Sequence, residues 1–304
     1  MKIGMIGLGD IAQKAYLPVI TQWPGVDLVL CTRNAETLQR IASVHRIQSF
    51  VTDYRALVDF GVDGVMIHSA TSSHAEIASF FLNHGIAVFV DKPLSDHYAD
   101  CERLCDLAEQ KQLPLFMGFN RRYLPLVSPY LTPDKVTNSL QAIRWQKHRL
   151  NQPGELRTFV FDDLIHPLDS INLTGTVSAD MLHVRTQHYQ GQIARLDVEW
   201  QQHETLFQAA MNRMNGVTAE QITLNFENQT YHFDSLATGT HWERGVETTL
   251  ALPDWTPMLD SKGFTAMIAH WLEVVKAGKM ATALMQRNLN SHFLAEAICQ
   301  QLDP

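Results

Sequence analysis

The chain opens on a short apolar run, Ile3-Gly4-Met5-Ile6, followed at once by Gly7-Leu8-Gly9-Asp10-Ile11-Ala12. A run of that length fits one buried strand, and the glycines let the backbone turn sharply without a Cβ in the way. From Asp10 to Ile20 the spacing becomes helical, with Ile11, Ala12 and Ala15 on one face and Pro18 disturbing the last turn. The alternation then repeats. Residues 26–31 read as a buried strand and 35–43 as a helix. Residues 63–68 form another apolar strand, with a helix over 73–84 behind it. Residues 86–90 are β-rich, 96–110 carry Tyr98, Cys101, Leu104, Cys105 and Ala108 at helical spacing, and 115–118 close the series. Repeated βα units of this length predict a parallel sheet with helices on both faces, whose ligands sit beyond the strand C-termini.

The texture changes after Tyr130. Leu131-Thr132-Pro133-Asp134 breaks the pattern and single-face alternation takes over: Ala194, Leu196, Val198 and Trp200 interleave with Arg195, Asp197 and Glu199, and Ile222, Leu224 and Phe226 repeat the theme. Such alternation marks antiparallel strands with one wet face. A helix over about 162–173 interrupts the strands. Near the C-terminus Phe264, Met267, Ile268, Trp271, Leu272 and Val275 form an apolar stripe that reads as core. The fold class expected is an α/β Rossmann domain with a doubly wound parallel sheet over 1–120. An α+β domain with a mainly antiparallel open sheet follows over 121–304.

Composition narrows the function. With 24 Lys and Arg against 32 Asp and Glu the net charge is −8, and no basic block stands out, which argues against nucleic acid or an anionic membrane as partner. No apolar run reaches the length of a membrane span, and Gly7-Leu8-Gly9-Asp10 interrupts the apolar start, so neither an anchor nor a leader is expected. Cys31, Cys101, Cys105 and Cys299 have neither zinc nor redox spacing and read as reduced core thiols of a cytoplasmic protein. The 14 histidines include no His-x-x-x-His pair, and no metal is expected.

Strand, Gly-x-Gly-x-x-Ala turn and helix together make the dinucleotide fingerprint. Gly7 permits the turn, Gly9 lets a pyrophosphate approach, Ala12 packs closely, and Asp10 and Ile11 open the helix whose N–H groups face the phosphates. At the end of the second strand, where a carboxylate would bond a ribose 2′-OH, the chain has Thr32-Arg33-Asn34. That replacement favours NADP over NAD. Ser69-Ala70-Thr71-Ser72-Ser73-His74 follows the next strand, with Ser69, Thr71 and His74 placed for ribose and phosphate, although Thr71 or Ser72 could simply cap the next helix. Asp91-Lys92-Pro93 then puts a lysine at a parallel strand's end, in reach of a nicotinamide.

With these motifs in place the chain resembles the glucose–fructose oxidoreductase / inositol dehydrogenase / MocA family. The matching residues are Gly7, Gly9 and Ala12, Ser69 to His74, Asp91-Lys92-Pro93, Gly118-Phe119-Asn120-Arg121-Arg122-Tyr123, and Asp162-Asp163-Leu164-Ile165-His166-Pro167-Leu168-Asp169. Asp91 stands where the family more often has glutamate, Leu164 where it has glycine, and Thr158 to Phe161 replace a glycine-rich lead-in. Lys147-His148-Arg149 with Asp162-Asp163 looks most like the bacterial MviM-type branch. The resemblance implies an NAD(P)-dependent oxidoreductase with Lys92 in the catalytic cleft. Asp91 and Arg122 are expected beside the cofactor, unless Arg122 forms a domain-joining salt bridge. Asn120, Lys147, His148, Asp163 and Asp169 are expected toward the substrate, although Asp163 and Asp169 could equally be capping or surface carboxylates and Lys147-His148-Arg149 a solvated strand end.

Hydride transfer at a secondary alcohol needs a group that takes up or returns the hydroxyl proton. Asp162 and His166 are four apart, so on an α-helix they share a face, with His166 the better acid/base near neutrality and Asp162 its support. Lys92 would stabilise a developing alkoxide. The substrate expected is a sugar, cyclitol or related polyol, and if Lys147, His148 and Arg149 face the cleft it carries a carboxylate or phosphate. A non-catalytic NAD(P)-binding sensor on the same fold is the competing reading. The wet face of the antiparallel sheet is the expected surface for a homodimer or higher homo-oligomer.

Overall fold

The computed structural model describes residues 1–303, which fall into two compact units, one of Met1–Phe119 with Phe264–Met285 and one of Asn120–Gly263 with the chain from Gln286. The first unit carries six strands: β1 (Lys2–Ile6), β2 (Asp27–Cys31), β3 (Ser49–Val51), β4 (Gly64–Ile67), β5 (Ala87–Val90) and β6 (Leu115–Met117). Their order is β3-β2-β1-β4-β5-β6 and every pairing is parallel. The order reverses between β1 and β4, which opens a crevice above their C-terminal ends, the position where such sheets bind ligands. Strands β4 and β5 are buried at every residue, as a sheet covered on both faces requires. The short β3, with only half-buried and exposed residues, carries no pattern that sequence reading could detect.

The helix after the glycine turn is not a plain α-helix. Over Ala12–Tyr16 it widens into a π-turn, in which the Leu17 N–H reaches back five residues to the Ala12 carbonyl. Pro18 follows at once. A proline inside an α-helix has no N–H and presses on the carbonyl four residues back, and the wider turn accommodates it. The C-terminal apolar stripe is core, but of this first unit. Trp271, fully buried, lies against Phe89 and Phe116 with ring centroids 5.8 Å away in each case. The second domain expected to run unbroken over 121–304 therefore gives up Phe264–Met285 to the first unit. A periodic stripe says that a helix is covered, not by what.

The second unit is built on an eight-stranded sheet. Its strands are β7 (Leu140–His148), β8 (His183–Tyr189), β9 (Gln192–Gln202), β10 (Thr205–Asn212), β11 (Ala219–Phe226), β12 (Gln229–Phe233), β13 (Thr238–Glu243) and β14 (Val246–Ala251). The order is β14-β13-β12-β11-β7-β10-β9-β8, antiparallel except where β7 and β10 lie parallel. One face buries Ile143, Trp145, Leu196, Val198, Trp200, Phe207 and Met211. The helix Ile165–Ile171, buried at every residue, packs on β7 and β10. The other face carries Arg144, Arg185, Arg195, Asp197, Glu199 and Gln208 around a shallow groove of about 570 Å³. No helix among the described residues is long and apolar enough to cross a membrane.

Candidate active site

The nucleotide side is a groove of about 580 Å³ lined by Gly7, Gly9, Thr32, Arg33, Thr52, Ser69 and their neighbours, all at the C-terminal ends of β1 to β4. Two glycines there have different tasks. Gly7 has φ +84°, and a Cβ on it would stand 2.5 Å from the Ser69 backbone nitrogen, so the fold itself demands glycine. Gly9 has no such constraint: nothing lies within 4 Å of where its Cβ would be. Its smallness serves something other than packing, and a pyrophosphate fits that need. Ala12 is fully buried, whereas Ile11 is 41 % exposed and Asp10 is exposed and paired with Lys14 at 2.8 Å.

Arg33 is exposed and has no ion pair among the described residues. The facing wall, which sequence reading did not find, comes from the segment after β3. Tyr54 donates to Glu76 at 2.7 Å, and the Arg55 guanidinium stands over the Tyr54 ring at 4.7 Å and 3.3 Å from Glu76. From the serine-rich turn Ser69, Ala70, Ser72 and Ser73 line the groove. Thr71 does not; it is the first residue of the Thr71–Asn83 helix, whose N-cap is Ala70 with no side-chain bond. His74 does not line the groove either. It is buried, with its ring nitrogens 2.8 Å from the Pro93 carbonyl and 2.9 Å from the Ser69 carbonyl, so it ties two loops together instead of facing a cofactor.

Asp91 likewise works behind the surface. Its Oδ1 accepts from the Lys92 backbone N–H at 2.9 Å and from the Tyr16 hydroxyl at 3.2 Å, and the His68 ring stands 3.8 Å from Oδ2, too far for a hydrogen bond. Burial would raise the carboxyl, but the nearby His68, the Lys92 charge and the Lys92 amide hold it below the usual carboxylate value. Asp91 thus anchors the peptide that presents Lys92 at the end of β5. The Tyr16 ring covers His68 at a centroid distance of 4.0 Å.

In the second unit the segment from Phe159 is not the continuous α-helix expected. Phe159–Leu164 is a π-turn, closed by the Ile165 N–H on the Val160 carbonyl, and Pro167 follows as Pro18 follows the first one. The wide turn removes the simple four-residue register between Asp162 and His166. Asp162 is exposed and His166 is 7 % exposed. Asp163 points the other way, into a buried charge cluster. It accepts from Lys147 Nζ at 2.8 Å, from Arg149 Nη2 at 2.7 Å and from Arg213 Nη2 at 2.7 Å. Burial opposes ionisation of Asp163, but Lys147 and Arg149 hold its carboxyl far below the ordinary range. Lys147 is pushed down to about 7, by burial first and then by Arg121, against the pull of Asp163 and Glu220. His148, 9 % exposed, is lowered by burial and by Arg195.

Asp163, Asp169 and Asn120 therefore do not have the free polar atoms that a substrate-facing role requires. Asp169 is fully buried and receives two bonds from Arg122 and one from Ser291 Oγ at 2.7 Å. Burial would raise it, while Arg122 and Arg287 hold it low. The same pair takes Arg122 toward Asp169 within the second unit and away from the cofactor role expected of it. Asn120 donates to the Lys262 carbonyl at 2.8 Å and accepts from Arg121 at 3.1 Å. A hydrophobic pattern cannot distinguish a carboxylate buried against an arginine from one facing a substrate.

Residues 1–119 match the profile of the oxidoreductase family with an NAD-binding Rossmann fold, Gfo/Idh/MocA. A crystal structure of a Gfo/Idh/MocA family oxidoreductase from Vibrio cholerae is 52 % identical, with a TM-score of 0.96 over 99 % of this chain and 98 % of that one. The protein named YceM from Salmonella typhimurium is 31 % identical over 98 % of this chain and 97 % of its own length. A UDP-N-acetylglucosamine 3-dehydrogenase from Acidithiobacillus ferrooxidans is 25 % identical over 83 % of this chain and 80 % of its own.

Proposed function

Because the chain belongs to the Gfo/Idh/MocA oxidoreductase family, we propose that this NAD(P)-dependent dehydrogenase moves a hydride between NADP and a hydroxyl or keto carbon of a sugar, cyclitol or related polyol. The observation that carries the nucleotide reading is Gly9, a glycine that the fold does not need, set in a groove at the reversal point of the sheet. NADP is preferred because Thr32 and the unpaired Arg33 occupy the end of β2, where a guanidinium attracts a 2′-phosphate and a carboxylate would repel it. The sugar reading is supported by the relative that acts on a nucleotide sugar.

When bound, the nicotinamide supplies or accepts the hydride. The chain's own groups handle the proton. Lys92, its amide held by Asp91, stabilises negative charge growing on the substrate oxygen; His166 exchanges the hydroxyl proton; Asp162 orients the hydroxyl. The test is a titration with NADP and NAD, then a panel of polyols and keto sugars followed by nicotinamide absorbance. Turnover that Lys92→Met and His166→Asn each abolish while dinucleotide affinity persists is the expected outcome. Dinucleotide binding without turnover of any substrate, and a ligand response untouched by Lys92→Ala, would instead identify a sensor. We also assign the polar groove face of the second sheet to a second copy of the chain, which sedimentation equilibrium tests.

A further inference from the structure

One side-chain cluster in the second unit holds more positive charge than the carboxylates it encloses. Arg121, Lys147, Arg149 and Arg213 come together with Asp163 and Glu220. Glu220 is occupied by Arg121 at 2.8 Å and by the Trp145 indole at 2.8 Å. Glu220 also pulls on Lys147 and Arg149, but Asp163 is the carboxylate that takes the hydrogen bonds of the Lys147 ammonium and of two guanidiniums. The side chains of Lys147, Arg213 and Asp163 are 8, 9 and 6 % exposed, so water screens them little. Asp162 also acts on Arg149, but from an exposed position where solvent weakens its effect.

The donors are in surplus as well. Lys147 Nζ has three N–H bonds and makes one hydrogen bond in the cluster. Arg149 and Arg213 spend Nε and Nη2 on Asp163, and neither Nη1 has a hydrogen-bond partner among the described residues. Gly154, on the loop after β7, makes room for one of them: a Cβ there would come within 2.9 Å of Arg213 Nη1. Arg149, whose side chain is 36 % exposed, is the member open to solvent. Four cations against two carboxylates, with N–H donors left unfilled, call for acceptor oxygens carrying negative charge.

Resting on the dehydrogenase reading, we propose that the substrate is an acid, a polyol or sugar derivative bearing a carboxylate or phosphate, and that Arg149, with Arg213 and Lys147 behind it, binds that anionic group. A bound oxyanion would fill the donors and also raise Lys147 from its depressed value, so its binding takes up a proton near neutral pH. The charged groups facing Lys147 are Arg121, Asp163 and Glu220.

The experiment pairs binding with turnover. Inorganic phosphate is titrated calorimetrically into the wild type, Arg149→Gln and Arg149→Lys, in two buffers of different ionisation heat at pH 7. Gluconate and glucose 6-phosphate are then compared with glucose as substrates. The expected result is phosphate binding, with proton uptake by the protein once the proton that phosphate itself sheds near neutral pH is subtracted, weakened on the order of tenfold in Arg149→Gln and partly restored in Arg149→Lys, and turnover favouring the acids. A cooperative urea transition and a circular dichroism spectrum like those of the wild type show that both variants are folded. Phosphate that fails to bind the wild type, or binds Arg149→Gln equally well, overturns the proposal. Neutral polyols turned over as fast as the acids overturn it too, yet leave the dehydrogenase standing. Phosphate bound at Arg149 with no hydride transfer to any substrate sinks the dehydrogenase reading and keeps the anion site.

Discussion

Replacing Gly9 or Gly7 by alanine should damage the protein in opposite ways. Gly9 lacks a left-handed φ and has open space around its Cβ position, so Gly9→Ala leaves the folded chain uncrowded. Its effect on stability is then within about 0.5 kcal/mol, the usual span for an open site, or slightly favourable through the unfolded chain. The added methyl instead stands where a pyrophosphate has to approach the backbone, and dinucleotide affinity should fall on the order of tenfold or more, about 1.4 kcal/mol. Gly7→Ala meets two penalties before any ligand arrives. At φ +84° a Cβ costs about 1–2 kcal/mol, and at 2.5 Å from Ser69 N it forces β1 and β4 apart at their buried ends. A total of about 3 kcal/mol or more is expected, since backbone cannot give way as a side chain can. Urea unfolding without nucleotide and calorimetric titration with NADP give the two numbers for each variant. A Gly9→Ala protein that binds NADP like the wild type would refute the assignment of this turn, whatever its stability.

Three further outcomes follow from the charges. Arg33→Ala should weaken NADP on the order of tenfold while NAD affinity hardly moves, measured by titration of both nucleotides. Asp169→Ala should cost about 3–5 kcal/mol in urea unfolding, because Arg122 and Arg287 stay buried without their counter-charge. His292, fully buried beside Arg122 and Asp169, is pushed down to about 4, mainly by burial. The ring is more acidic folded than unfolded, so its contribution is complete above about pH 6.5 and is lost as pH falls toward 4. That loss is about 3 kcal/mol, and the difference in unfolding free energy between wild type and His292→Asn should shrink over that window.

The sequence made the two architectures legible because each has its own period. Continuous apolar runs such as Val65-Met66-Ile67 are fully buried in a parallel sheet, and the alternation of Leu196, Val198 and Trp200 is the buried face of β9. The glycine turn was legible because its spacing is local. The π-turns were not, although Pro18 and Pro167 inside helical patterns mark both of them in retrospect. The polar partners were invisible for a different reason. Asp163 meets Lys147 across 16 residues and Arg213 across 50, and nothing in either neighbourhood announces the other. Tyr54 and Arg55 escaped notice because they follow a strand of three residues with no buried position.

The polypeptide visits the first unit twice, and that has a practical result for anyone cutting the gene. A fragment ending near residue 120 would lack the Phe264–Ala277 helix, leaving Gly64, Phe89 and Phe116 uncovered where Trp271 belongs. Such a fragment would present a sticky apolar slot in place of a finished nucleotide-binding module. A soluble excised version needs residues 264–285 spliced back through a linker, and the remainder would in turn have to be closed between 263 and 286.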